Sequence, residues 1–242
     1  PLNALDVTGD GTQYGGVSGW NEVMARVKAE GTHSALSVDA ESGHDAILYL
    51  AEAGDAYWDV RNDDSRGCLD IRYQGGTGAN NRMLSIDPTT GHTWVKVLEI
   101  AGGADLAEPF NVSDDKTPQP GTVMVINPDS AGELMVSSRP YDRKVAGVIS
   151  GAKGLSPGMV MKADGDALTD GEHPVALTGR VWCLCDATGV AIRPGDMLTT
   201  STTPGHAMKV VDHSKAHGAV LGKAMTRLDE GRGLVLVLVT LQ

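Results

Sequence analysis

Aromatic side chains are scarce in this sequence: Phe, Trp and Tyr make up 4% of its 242 residues, and Phe occurs once. Hydrophobic residues reach 41%, which is enough for a core, but a core of small side chains. Positive charge is also short, because 20 Lys and Arg face 31 Asp and Glu for a net charge of −11. An acidic chain has no general attraction for nucleic acid or anionic membranes, so neither partner is expected.

Long apolar runs and a disulfide pattern are missing as well. No run of about 18 apolar residues occurs, so no membrane-spanning helix is predicted. The first residues lack a charged segment followed by an apolar one, so no signal peptide is predicted. The three cysteines, Cys68, Cys183 and Cys185, are an odd number, which argues against a disulfide framework. Cys183 and Cys185 lack the second pair that a zinc site needs, and buried hydrophobic side chains are the plainer interpretation.

One segment, residues 19–30, has the pattern of an amphipathic helix. Ser18 can cap its start and Gly31 can end it. Its apolar residues recur at i, i+3, i+4 and i+7, so they share one face that must pack on a sheet or on copies of the helix. These residues are Trp20, Val23, Met24 and Val27.

The rest of the sequence alternates short apolar segments with turn residues, which predicts an all-β fold with one short helix near the N-terminus. In residues 68–73, Leu69, Ile71 and Tyr73 would lie on one face of a strand, with Asp70 and Arg72 on the other. The strand spacing indicates an antiparallel sandwich or meander in the first half. Further strands are predicted in the first half at 46–51, 56–61, 83–86 and 92–98, and in the second at 122–126, 134–137, 145–149, 159–162, 175–184, 197–199, 207–211 and 234–241.

The end of the predicted helix and a change of composition near Gly102 and Gly103 divide the chain into three predicted regions. These are residues 1–32 with the helix, residues 33–103 as a fibre-like β module, and residues 104–242 as a β-barrel-like domain. The last segment, LVLVLVTL at residues 234–241, is apolar on both faces, so it is either a central strand of a barrel or a strand buried between subunits. Because the core is light, and the helix and this segment need apolar partners, we predict that neighbouring copies of the chain supply them.

Two parts of the sequence resemble known families. The first half resembles the β-rich modules of phage tail fibres and related bacterial fibre proteins, on the residues YWDVRN (57–62) and LSIDPTTG (84–91). The second half resembles the C-terminal domains of tail-fibre and neck-appendage proteins, some of which cleave themselves (the peptidase G2 group). The segments that carry this second resemblance are GADLAEPF (103–110), PGTVMVI (120–126), VAGVIS (145–150), PVALTGRV (174–181), PGDMLTTS (194–201) and TPGHAMK (203–209).

The resemblance implies an intertwined homotrimer that serves as a fibre component, is made in the cytoplasm and is located on a virion or phage-like particle. It marks no residue of this chain as a cleavage nucleophile. The function that we predict is that of a structural, receptor-binding component of a tail fibre, which binds cell-surface polysaccharide without chemistry. The alternative is a hydrolase, either self-cleaving or acting on an ester, phosphoester or glycan.

Aromatic residues are the candidates for binding sugar rings. Tyr57, Trp58, Tyr73 and Trp94 lie in or near predicted strands, where exposed rings can stack on a pyranose. Aromatic side chains also serve as core anchors, and that interpretation stays open for each of the four.

Candidate catalytic and metal-binding residues are sparse. Cys183 or Cys185 could form a nucleophilic set with His206 and Asp196 if the strands bring them together. No cofactor is assigned from the sequence, and the candidate cofactor is a divalent metal. His213 and His217 lie four residues apart and would share a helix face, although a polar turn explains them equally well. The Asp-rich turns at Asp10 and at residues 63–64 are either loops suited to cations or solvated turns.

Overall fold

A computed structural model describes residues 38–52, 55–73, 81–113, 117–162 and 170–241, with the backbone alone for residues 51, 52 and 55–57. The predicted helix at 19–30 and the turn at Asp10 lie outside the described residues. The chain divides into unit 1, Pro1–Leu98, and unit 2, Glu99–Gln242, while the predicted boundaries at 32/33 and 103/104 stay predictions. No helix of the described residues is long and apolar enough to cross a membrane.

Unit 1 contains a five-stranded antiparallel sheet in which each strand pairs with the next along the chain. The all-β prediction and the meander order are therefore confirmed for the described part of unit 1, where the sheet is a single layer. Its strands are β1 (Ala46–Glu52), β2 (Asp55–Asp63), β3 (Cys68–Tyr73), β4 (Arg82–Ile86) and β5 (Thr93–Val95).

The two faces of this sheet differ in chemistry, because side chains alternate along each strand. On β3, Leu69, Ile71 and Tyr73 lie on one face and Asp70 and Arg72 on the other, which confirms the predicted alternation. Asp70 has no exposed surface, whereas Leu69 is 46% exposed. The polar face of the sheet is thus the more buried one.

Unit 2 contains one ten-stranded sheet and two short 3₁₀ turns, Ala152–Gly154 and His213–Lys215. Its longest strand, β11, has 14 residues and pairs with β6, β9, β13 and β15 along its length. The strands are β6 (Asp105–Val112), β7 (Val123–Ile126), β8 (Glu133–Val136), β9 (Val145–Ile149), β10 (Met159–Val160), β11 (His173–Asp186), β12 (Met197–Thr200), β13 (Ala207–Lys209), β14 (Val220–Ala224) and β15 (Arg232–Thr240).

The pairings of unit 2 form two closed circuits that share β11. One circuit runs from β11 through β15, β14, β12 and β13 and back to β11, and the other runs through β6, β8, β7 and β9. Side chains of these strands that are shielded from water form two main hydrophobic clusters. The first lies mostly on the circuit that contains β15, but Val123 on β7 and Val148 on β9 also belong to it. The first cluster includes Val181, Leu198, Leu221, Val235 and Val237, and the second consists of Met124, Leu134, Ile149 and Val175.

The final strand β15 has a partner on each side, β11 and β14, so it is a central strand and not an edge. Val235, Val237 and Val239 point to one face and have no exposed surface. Leu238 points to the other face and is 39% exposed. The chain itself therefore covers the valine face, and this strand is a weaker argument for a neighbouring copy than its sequence indicated.

Candidate functional site

The buried face of the unit 1 sheet carries alternating carboxylates and guanidinium groups, and we call it the charged face. Its central residues are Asp59, Arg61 and Asp63 on β2 and Asp70 and Arg72 on β3. Arg61 stands opposite Asp70, and Asp59 stands opposite Arg72. The three carboxylates are almost fully buried, so each needs a charged or hydrogen-bonding partner to offset its lost hydration.

Arg61 joins one of these carboxylates, Asp59, to a further carboxylate, Asp45, at one end of the charged face. Its Nε and Nη2 donate to the two carboxylate oxygens of Asp59 at 2.6 and 2.8 Å, and its Nη1 donates to Asp45 Oδ2 at 2.8 Å. This fork-to-fork geometry is the strongest arrangement for an arginine and a carboxylate. The hydrogen bonds that Arg61 donates to Asp59, and then to Asp45, raise the pKa of Arg61.

Asp63 and Asp70 share two arginines at the other end. Arg66 Nη2 and Arg72 Nη2 each contact both carboxylates, and Ser85 Oγ donates to Asp70 Oδ1 at 2.7 Å. Hydrogen bonds from Ser65 and then Arg66 lower the pKa of Asp63 to about 2. The interpretation of residues 63–64 as a solvated or cation-binding turn is wrong for Asp63, which is 4% exposed and held by arginine.

The opposite face of the sheet is apolar and open. One residue from each strand forms a continuous line across it, which we call the apolar row: Leu48, Val60, Ile71, Leu84 and Val95 stand opposite one another from β1 to β5. Leu48 is 46% exposed and Val95 37%, while the central three are partly buried. A large apolar surface of this kind is typical of an interaction site.

The predicted sugar-binding aromatics do not form one platform. Trp58 and Tyr73 are cross-strand neighbours on the apolar side, with ring centroids 5.3 Å apart. Trp94 stands opposite Ser85 on the charged face, where the Arg82 guanidinium lies 5.0 Å from its ring centroid. Trp58 and Trp94 are each 40% exposed. The side chain of Tyr57 lies outside the described part of the chain.

The members of the predicted nucleophilic set each have other contacts in the structure, and the set stays a prediction. Cys183 and Cys185 have no exposed surface, and burial raises the pKa of the Cys183 thiol, which opposes the thiolate form that reacts. His206 Nδ1 donates to the Pro204 carbonyl at 2.7 Å. Asp196 binds Lys209 Nζ at 2.9 Å and accepts from the Arg193 backbone N–H at 2.7 Å, so it stabilises the turn around Gly195.

The His213 and His217 pair lies in a polar turn and not on an α-helix. Asp212 Oδ1 accepts from the backbone N–H of Ser214 at 3.0 Å and starts the 3₁₀ turn His213–Lys215. The hydroxyl of Tyr141 accepts the backbone N–H groups of residues 211 and 212 at 3.0 and 2.9 Å. Among the described residues, no group of three or more His, Cys, Asp or Glu side chains could hold a metal ion.

Unit 2 contains one buried carboxylate that sequence analysis missed. Asp105 on β6 is 4% exposed, and its Oδ2 accepts from Ser150 Oγ at 2.8 Å. Its Oδ1 has no hydrogen-bond partner among the described residues. Burial raises the pKa of Asp105, and the Ser150 hydrogen bond offsets only part of that effect.

We expect Asp105→Asn to stabilise the protein at neutral pH. A carboxyl with a raised folded-state pKa contributes stability that is present below its unfolded pKa and is lost as pH rises through the folded pKa. The neutral amide of asparagine removes the cost of burying a charged carboxylate, so the free energy of unfolding at pH 7 should rise by about 1 kcal/mol. Urea unfolding at acidic and neutral pH measures it. The exposed residue Asp129 supplies the control, Asp129→Asn, and an equal gain in both variants would contradict the prediction.

The chain matches no protein-family model, and no curated protein sequence matches it.

Proposed function

We propose that the chain is a structural, receptor-binding component of a homotrimeric tail fibre of a phage or phage-like particle. In this proposal unit 1 forms part of the fibre, and unit 2 is a barrel-like domain related to the tail-fibre and neck-appendage C-terminal domains. The receptor is a cell-surface glycan, which the protein binds without chemistry. The observation that carries the proposal is the exposed apolar row of unit 1.

The apolar row supports association because this sheet buries its charged face and exposes its apolar face, which is the reverse of the usual pattern. The ion pairs of the charged face satisfy one another within the chain, whereas Leu48, Val95 and Leu69 stay open to water. Burying such side chains gains about 25 cal/mol per Å² of apolar surface, so the face favours a partner that is itself apolar. Glycan hydroxyls would lose hydrogen bonds on this aliphatic surface and are poor candidates for it.

Copies of the same chain are the simplest apolar partner. Three single-layer sheets arranged around a three-fold axis can each direct the apolar row inward and the charged face outward. The two closed circuits of strand pairings in unit 2 support its barrel-like description, because a closed sheet has no free edge strand.

A change at the edge of the apolar row tests the trimer. We expect the wild-type chain to have three times the chain mass of 25.3 kDa by light scattering. Leu48→Glu places a charge on the row, and because Leu48 lies on the first strand and is 46% exposed, the sheet should tolerate it. The variant should dissociate to lower mass at micromolar concentration, because an unpaired charge buried in an interface costs several kcal/mol.

Val190→Glu is the matched control, since Val190 is also 46% exposed but lies in a loop of unit 2. It should leave the mass unchanged. A wild-type monomer, or a Leu48→Glu variant of unchanged mass, would argue against the trimer built on this face.

A further inference from the structure

We infer that unit 2 carries a binding site for a carboxylate-bearing sugar in the cleft beside Trp182. This Trp182 cleft has a volume of about 390 Å³ and is lined by Leu155, Arg180, Trp182, Leu236 and the backbone of residues 102–104. Small-molecule sites typically measure about 300–1,000 Å³, so the cleft is large enough for a saccharide unit. The inference rests on the glycan-binding part of the proposed function, and it names a site and a chemical class for the sugar.

The floor of the Trp182 cleft suits the apolar face of a pyranose ring. Trp182 on β11 stands opposite Leu236 on β15, and Leu155 follows the 3₁₀ turn beside them. Sugar rings present C–H groups on one face, and an indole is the side chain best suited to cover them. Gly102 and Gly103 form part of the wall without side chains, so a ligand can approach the backbone closely there.

Two cations border this floor. Arg180 is exposed and precedes Trp182 by two residues on β11, so both side chains lie on the same face. The Lys153 Nζ lies 3.6 Å from the centroid of the Trp182 ring. Among the described residues, the ion pairs of unit 2 involve other side chains, and none joins Arg180 or Lys153 to a carboxylate.

These unneutralised cations indicate an anionic ligand. In a chain with a net charge of −11, a cleft lined by Arg180, with the Lys153 ammonium on the ring of its Trp182, is a local positive field. The planar guanidinium of Arg180 can donate two parallel hydrogen bonds to a carboxylate. The exposed Lys153 ammonium can leave the ring face for the ligand at small cost, because exposed cation–π contacts are weak. An acidic sugar uses both parts of the cleft, whereas a long polyanion such as nucleic acid meets the repulsion of the whole chain.

Calorimetry on the full chain with matched saccharides tests the inference. Trigalacturonate and its methyl ester share one sugar backbone, and the ester removes the negative charge by placing a methyl group on each carboxyl. Sialyllactose provides a second source of a sugar carboxylate, and lactose is the same saccharide without its sialic acid residue. We expect at least one acidic saccharide to bind more tightly than its neutral partner. Arg180→Gln should weaken that binding about tenfold or more, as is usual for a lost charged hydrogen bond. Arg143→Gln replaces another exposed arginine and should leave binding unchanged.

Trp182→Ala should weaken both the acidic and the neutral saccharide, and thermal unfolding of each variant checks that the fold is kept. Equal binding of the acid and its neutral partner, or wild-type binding by Arg180→Gln, would overturn the inference while leaving glycan binding at another site open. Failure of both acidic saccharides to bind would also overturn it. The fibre architecture is judged separately, by the mass of Leu48→Glu.

Discussion

The Asp70→Ala variant should lose about 3 kcal/mol or more of its free energy of unfolding in unit 1, because removing one partner of a buried ion pair leaves uncompensated charge. Asp70 has no exposed surface and accepts hydrogen bonds from Arg66, Arg72 and Ser85. Without it, each of the two guanidinium groups loses one carboxylate partner and keeps its contact with Asp63, and the hydroxyl of Ser85 loses its acceptor.

Hydrogen exchange is the measurement of choice for Asp70→Ala, since it separates the two units. Peptides from β2 and β3 should lose protection, and those from unit 2 should not, at one fixed protein concentration. Asp64→Ala removes an exposed carboxylate from the adjacent turn and should change stability by less than about 1 kcal/mol. Equal protection in the Asp70 and Asp64 variants would mean that the charged face contributes little to the stability of unit 1.

Gly222→Ala should destabilise unit 2 by about 3 kcal/mol or more, since overpacking against backbone cannot be relieved by side-chain movement. Gly222 pairs with Leu198 on β12 and with Val239 on β15. A Cβ atom at this position would lie 2.2 Å from the carbonyl oxygen of Leu238. The strands would have to separate to accept a single methyl group.

Gly189→Ala is the control for Gly222→Ala. No heavy atom lies within 4 Å of the position that its Cβ would take, and its backbone does not require a positive φ. This variant should unfold within about 0.5 kcal/mol of wild type in urea. Similar losses for the two glycines would contradict the prediction, because the loss at Gly222 could then not be assigned to the packing of β14.

The strands of unit 1 could be predicted because their alternation is local. The charged face also has a signal in the sequence. Asp59 and Arg61 on β2, and Asp70 and Arg72 on β3, repeat the pattern Asp-x-Arg. In two neighbouring strands this pattern places four charges on one face, where they can only be tolerated as pairs.

Two strands of unit 2 were not predicted, and each contains a residue that disfavours strands. Pro109 lies within β6 and stands opposite Pro174 of β11, so the missing N–H donors coincide at one position of the pairing. Gly222 lies in the middle of β14, where the close approach of β15 requires it. Tertiary packing, which local propensity does not contain, decides both cases.

The arrangement of candidate site residues depended on register and on long-range contacts. Trp94 lies on the charged face because it pairs with Ser85, which in turn pairs with Asp70. Trp58 lies on the opposite face. Asp105 meets Ser150, and Lys153 meets Trp182, only because distant segments converge on β11. No periodicity in the sequence predicts such contacts.

The sharing of β11 by both strand circuits has a consequence for how unit 2 melts. Val123 on β7 and Val148 on β9 belong to one circuit but pack in the hydrophobic cluster of the other, and both circuits pair with β11. Opening either circuit would therefore expose apolar side chains that the two share, and we expect neither half to have an independent transition. We therefore expect unit 2 to unfold in a single cooperative transition under heat or denaturant. A protease that cuts an outer loop should then find no partly unfolded intermediate to digest.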